Sequence, residues 1–357
     1  MQIVTEELRG PGKQLVNPAD LGFGKYYADR MLTRSYHAGR GWAEARIVPY
    51  QALPLDPAAR ALHYAQEIFE GLKAYAAEDG RILLFRPEEN ARRMNRSAER
   101  MCMPTMPEED FLACLEALIK AEKRWIPRAA GTSLYIRPTM IGHEAALGVH
   151  PSSEYLFYIV LSPVGAYFKE GFKPIRLYVE DTYVRAAVGG VGEAKTGGNY
   201  AASLLAGRKA EEKGFSQVLW LDARERRYVE EVGAMNIFFV FGRRLVTPAL
   251  SGSILRGITR DSVLKLAPRL GYEVEERPIA IEEVTSGAAD GSLTEAFGAG
   301  TAAVIAPVGS LHYRGRDYQI TGDRVGEVSQ RLYDELVGIQ YGRRPDPFGW
   351  VREIGRL

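Results

Sequence analysis

A glycine-rich loop with a single lysine limits what this 357-residue chain can fold into. Residues 188–202 read V-G-G-V-G-E-A-K-T-G-G-N-Y-A-A, with glycines on both sides of Lys195. Glycine allows positive φ and close approach of the backbone to a ligand, so the spacing predicts a sharply bent loop around the lysine. Asn199 is a good helix N-cap and Gly214 a good helix stop, so we expect a helix over 200–213.

Three interpretations of the lysine are compatible with this stretch alone. A surface lysine in a flexible turn is the usual case. A phosphate-binding loop is the second, because Gly189 to Thr196 nearly fits G-x-x-x-x-G-K-[ST], although Ala194 stands where the pattern needs glycine. The third is a nucleophilic amine that holds pyridoxal phosphate as an imine. The loop by itself favours the first interpretation.

Composition and charge limit the class of protein. The chain is 46% hydrophobic, enough for sizeable cores, and its length favours two domains. It has 46 basic against 45 acidic residues, which gives no electrostatic case for a nucleic-acid or membrane partner. No stretch approaches the roughly 20 apolar residues of a membrane span, and the charged N-terminus predicts a cytoplasmic protein. Cys102 and Cys114 are too few for a disulfide framework or a usual zinc site.

Periodic patterns predict the elements of the first half. Helices are expected over 88–101 and 108–125, and a strand over 131–141. The alternation in that strand places Tyr135 and Arg137 on the same face. An arginine that points inward among apolar residues needs an anion, so this strand predicts an anion site.

Two glycine-containing segments of the second half offer free amides. In L-R-G-I-T-R the amides of Ile258 and Thr259 precede a helix expected over 261–270, and a helix N-terminus favours a phosphate. F-G-A-G-T-A ends at Ala302 and offers the hydroxyl of Thr301. Each signal is weak by itself, since such segments are common as caps and turns.

Three segments after the lysine carry a resemblance to a known family. They read T-G-G-N-Y at 196–200, V-L-W-L-D at 218–222 and E-V-G-A-M-N at 231–236. With them the chain resembles the branched-chain amino acid aminotransferases, which are pyridoxal-phosphate enzymes of fold type IV, over about residues 23–350. The resemblance implies reversible transfer of the amino group between L-leucine, L-isoleucine or L-valine and 2-oxoglutarate. It makes the imine-forming lysine the preferred interpretation.

The resemblance also implies the domain organisation. We expect a mixed α/β (α+β) fold of two domains with the cofactor at the domain interface. A smaller first domain is predicted over 1–168, a linker over 169–174, and a larger second domain with the lysine over 175–357. The family forms homodimers in which the loop around Leu147 and Val149 reaches the partner subunit.

The family assigns roles to residues at matching positions. Lys195 is the catalytic residue, Glu231 faces the ring nitrogen of pyridoxal phosphate, and Tyr200 faces its phenolic oxygen. The carboxylate of Glu230, directly before Glu231 in the sequence, is expected to be solvated. The phosphate ligands are the planar Arg93 together with Ile258, Thr259 and Thr301. The substrate-binding set comprises Phe23, Tyr64, Phe69, Tyr135, Arg137, Tyr167, Ala234, Thr301, Ala302, Leu147 and Val149; no metal site is predicted.

Other functions stay open at this point. D-amino acid aminotransferases and aminodeoxychorismate lyases share the fold type and the cofactor residues. The first-domain residues Tyr64, Tyr135 and Arg137 match the branched-chain enzymes instead. A nucleotide-binding protein with a degenerate phosphate loop is a remote alternative.

Overall fold

The structure is a computed structural model that describes residues 1–8, 10–165 and 172–357. The described residues form two compact units. The first holds those of 1–169 together with Ala194–Gly197 and Gly338–Leu357, and the second holds those of 170–193 together with Gly198–Val337. The lysine and the C-terminal segment thus belong to the first unit, whereas the sequence assigned both to the second domain. Tyr167 and part of the predicted linker lie outside the described residues.

The elements alternate between strands and helices along the chain. The helices are α1 (Arg60–Tyr64), α2 (Pro87–Arg100), α3 (Glu108–Ala121), α4 (Gly197–Ala201), α5 (Leu204–Glu212), α6 (Ile258–Leu266), α7 (Ile281–Asp290) and α8 (Glu327–Gln340). The strands are β1 (Ile3–Thr5), β2 (Arg30–His37), β3 (Gly41–Pro49), β4 (Glu67–Phe69), β5 (Leu72–Ala76), β6 (Arg81–Phe85), β7 (Ser133–Gly142), β8 (Glu154–Val164), β9 (Ile175–Glu180), β10 (Gln217–Leu221), β11 (Val229–Val232), β12 (Met235–Phe241), β13 (Arg244–Thr247), β14 (Glu273–Glu276), β15 (Glu295–Gly300), β16 (Val304–Tyr313), β17 (Arg316–Gln319) and β18 (Val351–Arg356). No helix in the described part of the chain has the length and apolar character to cross a membrane.

The sheet of the first unit has one apolar and one functional face. Its strands follow the order β1-β3-β2-β8-β7-β5-β6-β18, and β4 pairs with β7. Alternate residues such as Ile68, Leu134 and Ile136 join the core that also contains Met94 of α2 and Leu115 of α3. Because side chains alternate along a strand, the residues between them point to the opposite face. That face carries the predicted substrate residues of β4 and β7.

The sheet of the second unit curls into a ring. Its strands follow the order β11-β10-β9-β16-β15-β12-β13-β14. Strand β11 also pairs with β12, so the first six strands of this order close on themselves. Parallel β9–β10 and β9–β16 pairs stand beside antiparallel β12–β15 and β15–β16 pairs. The mixed α/β (α+β) fold class is therefore confirmed. Cys114 is fully buried in α3.

The helix after the lysine loop differs from the prediction. Asn199 is not an N-cap, because it lies inside α4 and its side-chain amide donates to the carbonyl of Val191 at 2.8 Å. The hydroxyl of Ser203 donates to the carbonyl of Tyr200 at 2.7 Å, a local bond that competes with helical hydrogen bonding. The expected single helix is consequently divided into α4 and α5. The buried face of α5 consists of Ala206 and Ala210, packed in one core with Phe215 and Trp220.

Candidate active site

The backbone of Lys195 is fixed by residues far from it in the sequence. Its N–H donates to the hydroxyl of Ser97 on α2 at 2.9 Å, and its carbonyl accepts from the N–H of Phe69 on β4 at 3.0 Å. The hydroxyl of Thr196 donates to the carbonyl of Glu67 at 2.7 Å. Two consecutive residues of a glycine-rich loop are therefore held against a strand and a helix. The loop that the sequence predicts as sharply bent is ordered at the position of the lysine.

The side chain of Lys195 lies beside predicted substrate residues. Its Nζ stands 4.9 Å from the ring centroid of Phe69. The guanidinium carbon of Arg137 lies 4.6 Å from the centroid of the same ring. Phe69 therefore contacts both cationic side chains, and its ring is a suitable wall for an apolar side chain.

Tyr135 connects Arg137 to Phe23. The guanidinium donates to the Tyr135 hydroxyl at 3.0 Å, and the rings of Phe23 and Tyr135 meet edge to face with centroids 4.9 Å apart. Arg137 and Phe23 are both half-buried. The structure thus brings together four of the predicted substrate residues in one cluster with Lys195. It contains a partly buried aromatic surface and one guanidinium, which suit an aliphatic chain and a carboxylate respectively.

Arg93 is engaged by a buried carboxylate that the sequence did not single out. Its Nε donates to Oε1 of Glu70 at 2.7 Å and its Nη2 to Oε2 at 2.8 Å, and the amide of Asn90 donates to Oε2 at 2.7 Å. Burial alone raises the pKa of Glu70, but Arg93 and Lys195 outweigh it and lower that pKa. The carboxylate is therefore ionised and fixes the plane of the guanidinium. The only sequence signal was its position directly after Phe69.

Tyr64 lies with the loop that follows β7 and not with the aromatic cluster. Its hydroxyl donates to the carbonyl of Leu147, and the side chain is 42% exposed. Arg60, which is 1% exposed, donates to the carbonyl of Gly148 and forms an ion pair with Glu144. The loop is thereby held against α1. Leu147 and Val149 at its tip are 59% and 84% exposed.

Glu231 is buried and held in the second unit. Its Oε1 accepts from the N–H of Leu255 at 2.7 Å, and its Oε2 lies 3.3 Å from Nε of Arg185. Arg185 also donates to the carbonyl of Gly192 at 3.1 Å. A buried carboxylate needs such partners to stay charged, and sequence reasoning missed Arg185 because it is distant along the chain and has no motif.

The expectation that Glu230 is solvated is wrong. Its side chain is buried, and its Oε1 accepts from the hydroxyl of Ser253. Burial raises the pKa of Glu230, with the nearby Glu231 acting in the same direction. Glu230 and Glu231 are both buried because their strand, β11, is part of the ring and pairs with β10 on one edge and β12 on the other.

The remaining predicted cofactor residues stand at turns and at a helix start. Gly257 precedes α6, so Ile258 and Thr259 are its first two residues and their N–H groups point out of the helix end. The helix begins three residues earlier than predicted. A Cβ on Gly257 would overlap Oδ1 of Asn236, so only glycine fits there. Thr301 and Ala302 form the turn between β15 and β16, Ala234 lies in the turn between β11 and β12, and Tyr200 lies in α4.

The described residues fit a bound pyridoxal phosphate by their donor and acceptor types. In the first unit, an ordered lysine amine and a buried arginine are available. In the second unit, the helix start supplies amides suited to a phosphate, and Glu231 supplies a buried carboxylate suited to a protonated ring nitrogen. A separate surface cavity of about 460 Å³ beside the β2–β3 hairpin, lined among others by His37, Trp42 and His143, contains none of the described predicted site residues.

Comparison with known proteins assigns the chain to a family. A family model described as amino-transferase class IV matches residues 67–311. The branched-chain-amino-acid aminotransferase 2 of Bacillus subtilis (strain 168) is 52% identical over 356 residues, which cover 100% of this chain and 98% of that protein.

Two solved structures of the T.th. branched-chain amino acid aminotransferase are similar to this fold. The one with pyridoxamine 5'-phosphate has a TM-score of 0.75 and 29% identity, covering 90% of this chain and 98% of that chain. The one complexed with N-(5'-phosphopyridoxyl)-L-glutamate has a TM-score of 0.72 and 28% identity, with the same coverage.

Together the fold and the lysine site define a class IV aminotransferase, an enzyme whose cofactor is pyridoxal phosphate. Within that class, the chain belongs to the branched-chain amino acid aminotransferases.

Proposed function

We propose that the protein transfers the amino group reversibly between L-leucine, L-isoleucine or L-valine and 2-oxoglutarate in the cytoplasm. The observation that carries this proposal is the cluster of Lys195, Phe69, Tyr135 and Arg137, which offers an amine, an aromatic wall and a guanidinium to one substrate. It agrees with the activity named for the relatives and with the phosphopyridoxyl-glutamate complex of one of them.

In this proposal the cofactor is held by residues from several parts of the chain. Arg93, Ile258, Thr259 and Thr301 bind the phosphate, Tyr200 donates to the phenolic oxygen, and Glu231 accepts from the ring nitrogen. When bound, pyridoxal phosphate supplies a protonated ring that accepts the electron pair left when the α-proton of the substrate leaves. The Leu255 amide and Arg185 hold the Glu231 carboxylate in place, and a carboxylate at the ring nitrogen favours that protonated ring.

Lys195 acts as the base in the proposed reaction. An ammonium group cannot accept a proton, so the Nζ must be neutral when it takes the proton from Cα of the amino acid. Its backbone bonds to Ser97 and Phe69 keep the start of the side chain in place while the amine moves. Such positioning lowers the entropic part of the barrier.

The substrate side chain is bound by the cluster on the β4–β7 face. The aromatic rings of Phe23, Phe69 and Tyr135, with Tyr167 as a further predicted wall, bind a branched aliphatic chain. Arg137 with the Tyr135 hydroxyl binds the distal carboxylate of glutamate or 2-oxoglutarate. The amides of Thr301 and Ala302, near Ala234, bind the α-carboxylate.

The loop around residues 146–150 is proposed to contact a partner subunit in a homodimer. Its exposed Leu147 and Val149 present apolar groups to solvent in the single chain, which is unfavourable unless they are covered. The hydrogen bond from Tyr64 to Leu147 makes Tyr64 part of the same contact. Tyr64 then lines the partner's pocket rather than its own.

A substrate comparison tests the function. Purified holoenzyme is incubated with 2-oxoglutarate and either L-leucine or D-alanine, and glutamate formation is measured. We expect turnover with L-leucine and none with D-alanine. Turnover with D-alanine alone, or with neither amino acid, contradicts the proposal. A sedimentation measurement that finds only single chains contradicts the dimer.

A further inference from the structure

Glu67 is a half-buried acid next to the lysine loop that the proposed reaction does not use. It lies two residues before Phe69 on β4, so both side chains are on the functional face of the sheet. Its carbonyl accepts from the Thr196 hydroxyl. Its carboxylate occupies the space beside Gly197, where a Cβ would overlap Oε1 of Glu67. Glycine at that position is therefore required for the acid to lie there.

Glu67 and Arg137 both lie on the functional face of the sheet. The guanidinium of Arg137 covers the ring of Phe69, which is two residues from Glu67 on β4. Burial raises the pKa of Glu67, and Arg137 partly offsets this. The charged and titratable groups on the elements around it include Tyr135 and Arg137 on β7, Tyr158 on β8, Glu70 directly after β4, Lys195 in the lysine loop, and Arg93, Arg96, Glu99 and Arg100 on α2.

We propose that Glu67 is a specificity residue: its carboxylate balances the charge of Arg137 when a branched aliphatic side chain is bound, and it disfavours a substrate with a distal carboxylate. The proposal rests on the proposed role of Arg137 in binding that carboxylate. A guanidinium beside an aliphatic group needs a compensating anion from the protein, because a desolvated, uncompensated charge is costly. When the substrate brings its own carboxylate, two anions share one cation and repel each other.

Binding of a dicarboxylate is therefore coupled to protonation of Glu67. The neutral acid no longer repels the ligand, so the ligand favours the protonated form. Affinity for a dicarboxylate then falls as pH rises through the raised pKa of Glu67, while affinity for a branched monocarboxylate does not. The two halves of the reaction acquire different pH dependences from one side chain.

Two non-reacting acids of similar size test this directly. Glutarate carries a second carboxylate where 4-methylvalerate carries a branched methyl end. The affinity of each for the holoenzyme is measured by titration with absorbance detection between about pH 5.5 and pH 8.5, a range that covers a carboxyl pKa raised by burial. The proteins are the wild type, Glu67→Gln, and Glu109→Gln as the same change at an exposed position of the same unit.

At the upper end of this range we expect Glu67→Gln to shift the affinity ratio toward glutarate by about tenfold, the effect of one pKa unit of repulsion. At the lower end the wild type and Glu67→Gln should converge, and Glu109→Gln should match the wild type throughout. An equal change for both acids, or an unchanged ratio, overturns the proposal.

Two further measurements separate this proposal from the function on which it rests. If wild-type enzyme fails to form glutamate from L-leucine and 2-oxoglutarate, the proposed function itself fails. If it succeeds and Arg137→Met weakens glutarate binding, but Glu67→Gln leaves the pH dependence of that binding unchanged, only the role of Glu67 is overturned.

Discussion

Glu70 and Arg93 form a two-bond ion pair, 2.7 Å from Nε to Oε1 and 2.8 Å from Nη2 to Oε2, with both side chains almost fully buried. The pair ties α2 to the segment between β4 and β5. It orients the arginine before any ligand arrives, so a phosphate bound by Arg93 meets a guanidinium whose plane is already set.

Removing the charge of Glu70 is expected to destabilise the fold. In Glu70→Gln the buried Arg93 loses its counter-charge, which costs about 3 to 5 kcal/mol when one partner of a buried pair is removed. Urea unfolding of the two proteins measures the difference. Glu108→Gln is the control, because Glu108 pairs with Arg92 at 3.2 Å on the surface and is worth at most about 1 kcal/mol. Equal effects of the two substitutions contradict this account.

The ion pair of Glu70 and Arg93 also predicts that the protein loses stability at acidic pH. Glu70 has a lowered pKa, so its contribution is fully present above its ordinary value of 4.5 and is lost as pH falls below that value through the folded-state pKa. We expect the unfolding free energy of the wild type to decline below about pH 4.5 more steeply than that of Glu70→Gln. Parallel declines in denaturant titrations across this range contradict the prediction.

Lys195→Ala should abolish transamination. The reacting amine is lost, so turnover is expected to fall by at least about 10³-fold, and the visible band of the purified protein should change. Lys209→Ala provides the matched control, because its Nζ bonds only the Tyr183 hydroxyl at an exposed site. Retained turnover in Lys195→Ala removes the lysine from the mechanism.

Substitutions of the adjacent acids Glu230 and Glu231 should have different effects on kcat. Glu231→Gln removes the proposed partner of the ring nitrogen and should lower kcat by about 10²-fold or more. Glu230→Gln replaces an acid that bonds Ser253, and kcat should stay within about threefold of the wild type. Steady-state kinetics with L-leucine measure kcat of both variants. A larger loss of kcat in Glu230→Gln than in Glu231→Gln would assign the contact with the cofactor ring nitrogen to Glu230.

Tyr135→Phe should affect the two substrates unequally. The change deletes the hydroxyl that accepts from Arg137 at 3.0 Å but keeps the ring that packs on Phe23. We expect KM for 2-oxoglutarate to rise by about tenfold, the value of one hydrogen bond to a charged group, with little change in KM for L-leucine. Equal increases for both substrates would indicate a general loss of packing instead.

Local patterns in the sequence were sufficient for several elements. The alternation over 131–141 predicted β7 and the shared face of Tyr135 and Arg137, and the hydrogen bond between them confirms that face. The pair Asp79-Gly80 is typical of a hairpin turn, and it lies between β5 and β6 with Gly80 at φ 85°. These features depend on residues close in the chain, which is why a single sequence contains them.

Contacts between distant residues were not predictable. The sequence around Glu70 contains no pattern that indicates its pairing with Arg93. The sequence around Glu230 contains none that indicates the burial of its strand. The family resemblance predicted Tyr64 as a wall of the substrate pocket. The hydroxyl of Tyr64 on α1 bonds the carbonyl of Leu147, a contact between distant residues that a local pattern does not encode.

The assignment of Ala194–Gly197 to the first unit has a practical consequence. A chain cut after residue 169 would separate the reactive amine from the serine hydroxyl and the strand N–H that hold its backbone. Neither fragment would then present a positioned nucleophile, however well each one folded. Restoring activity would require the two pieces to meet again as a noncovalent pair.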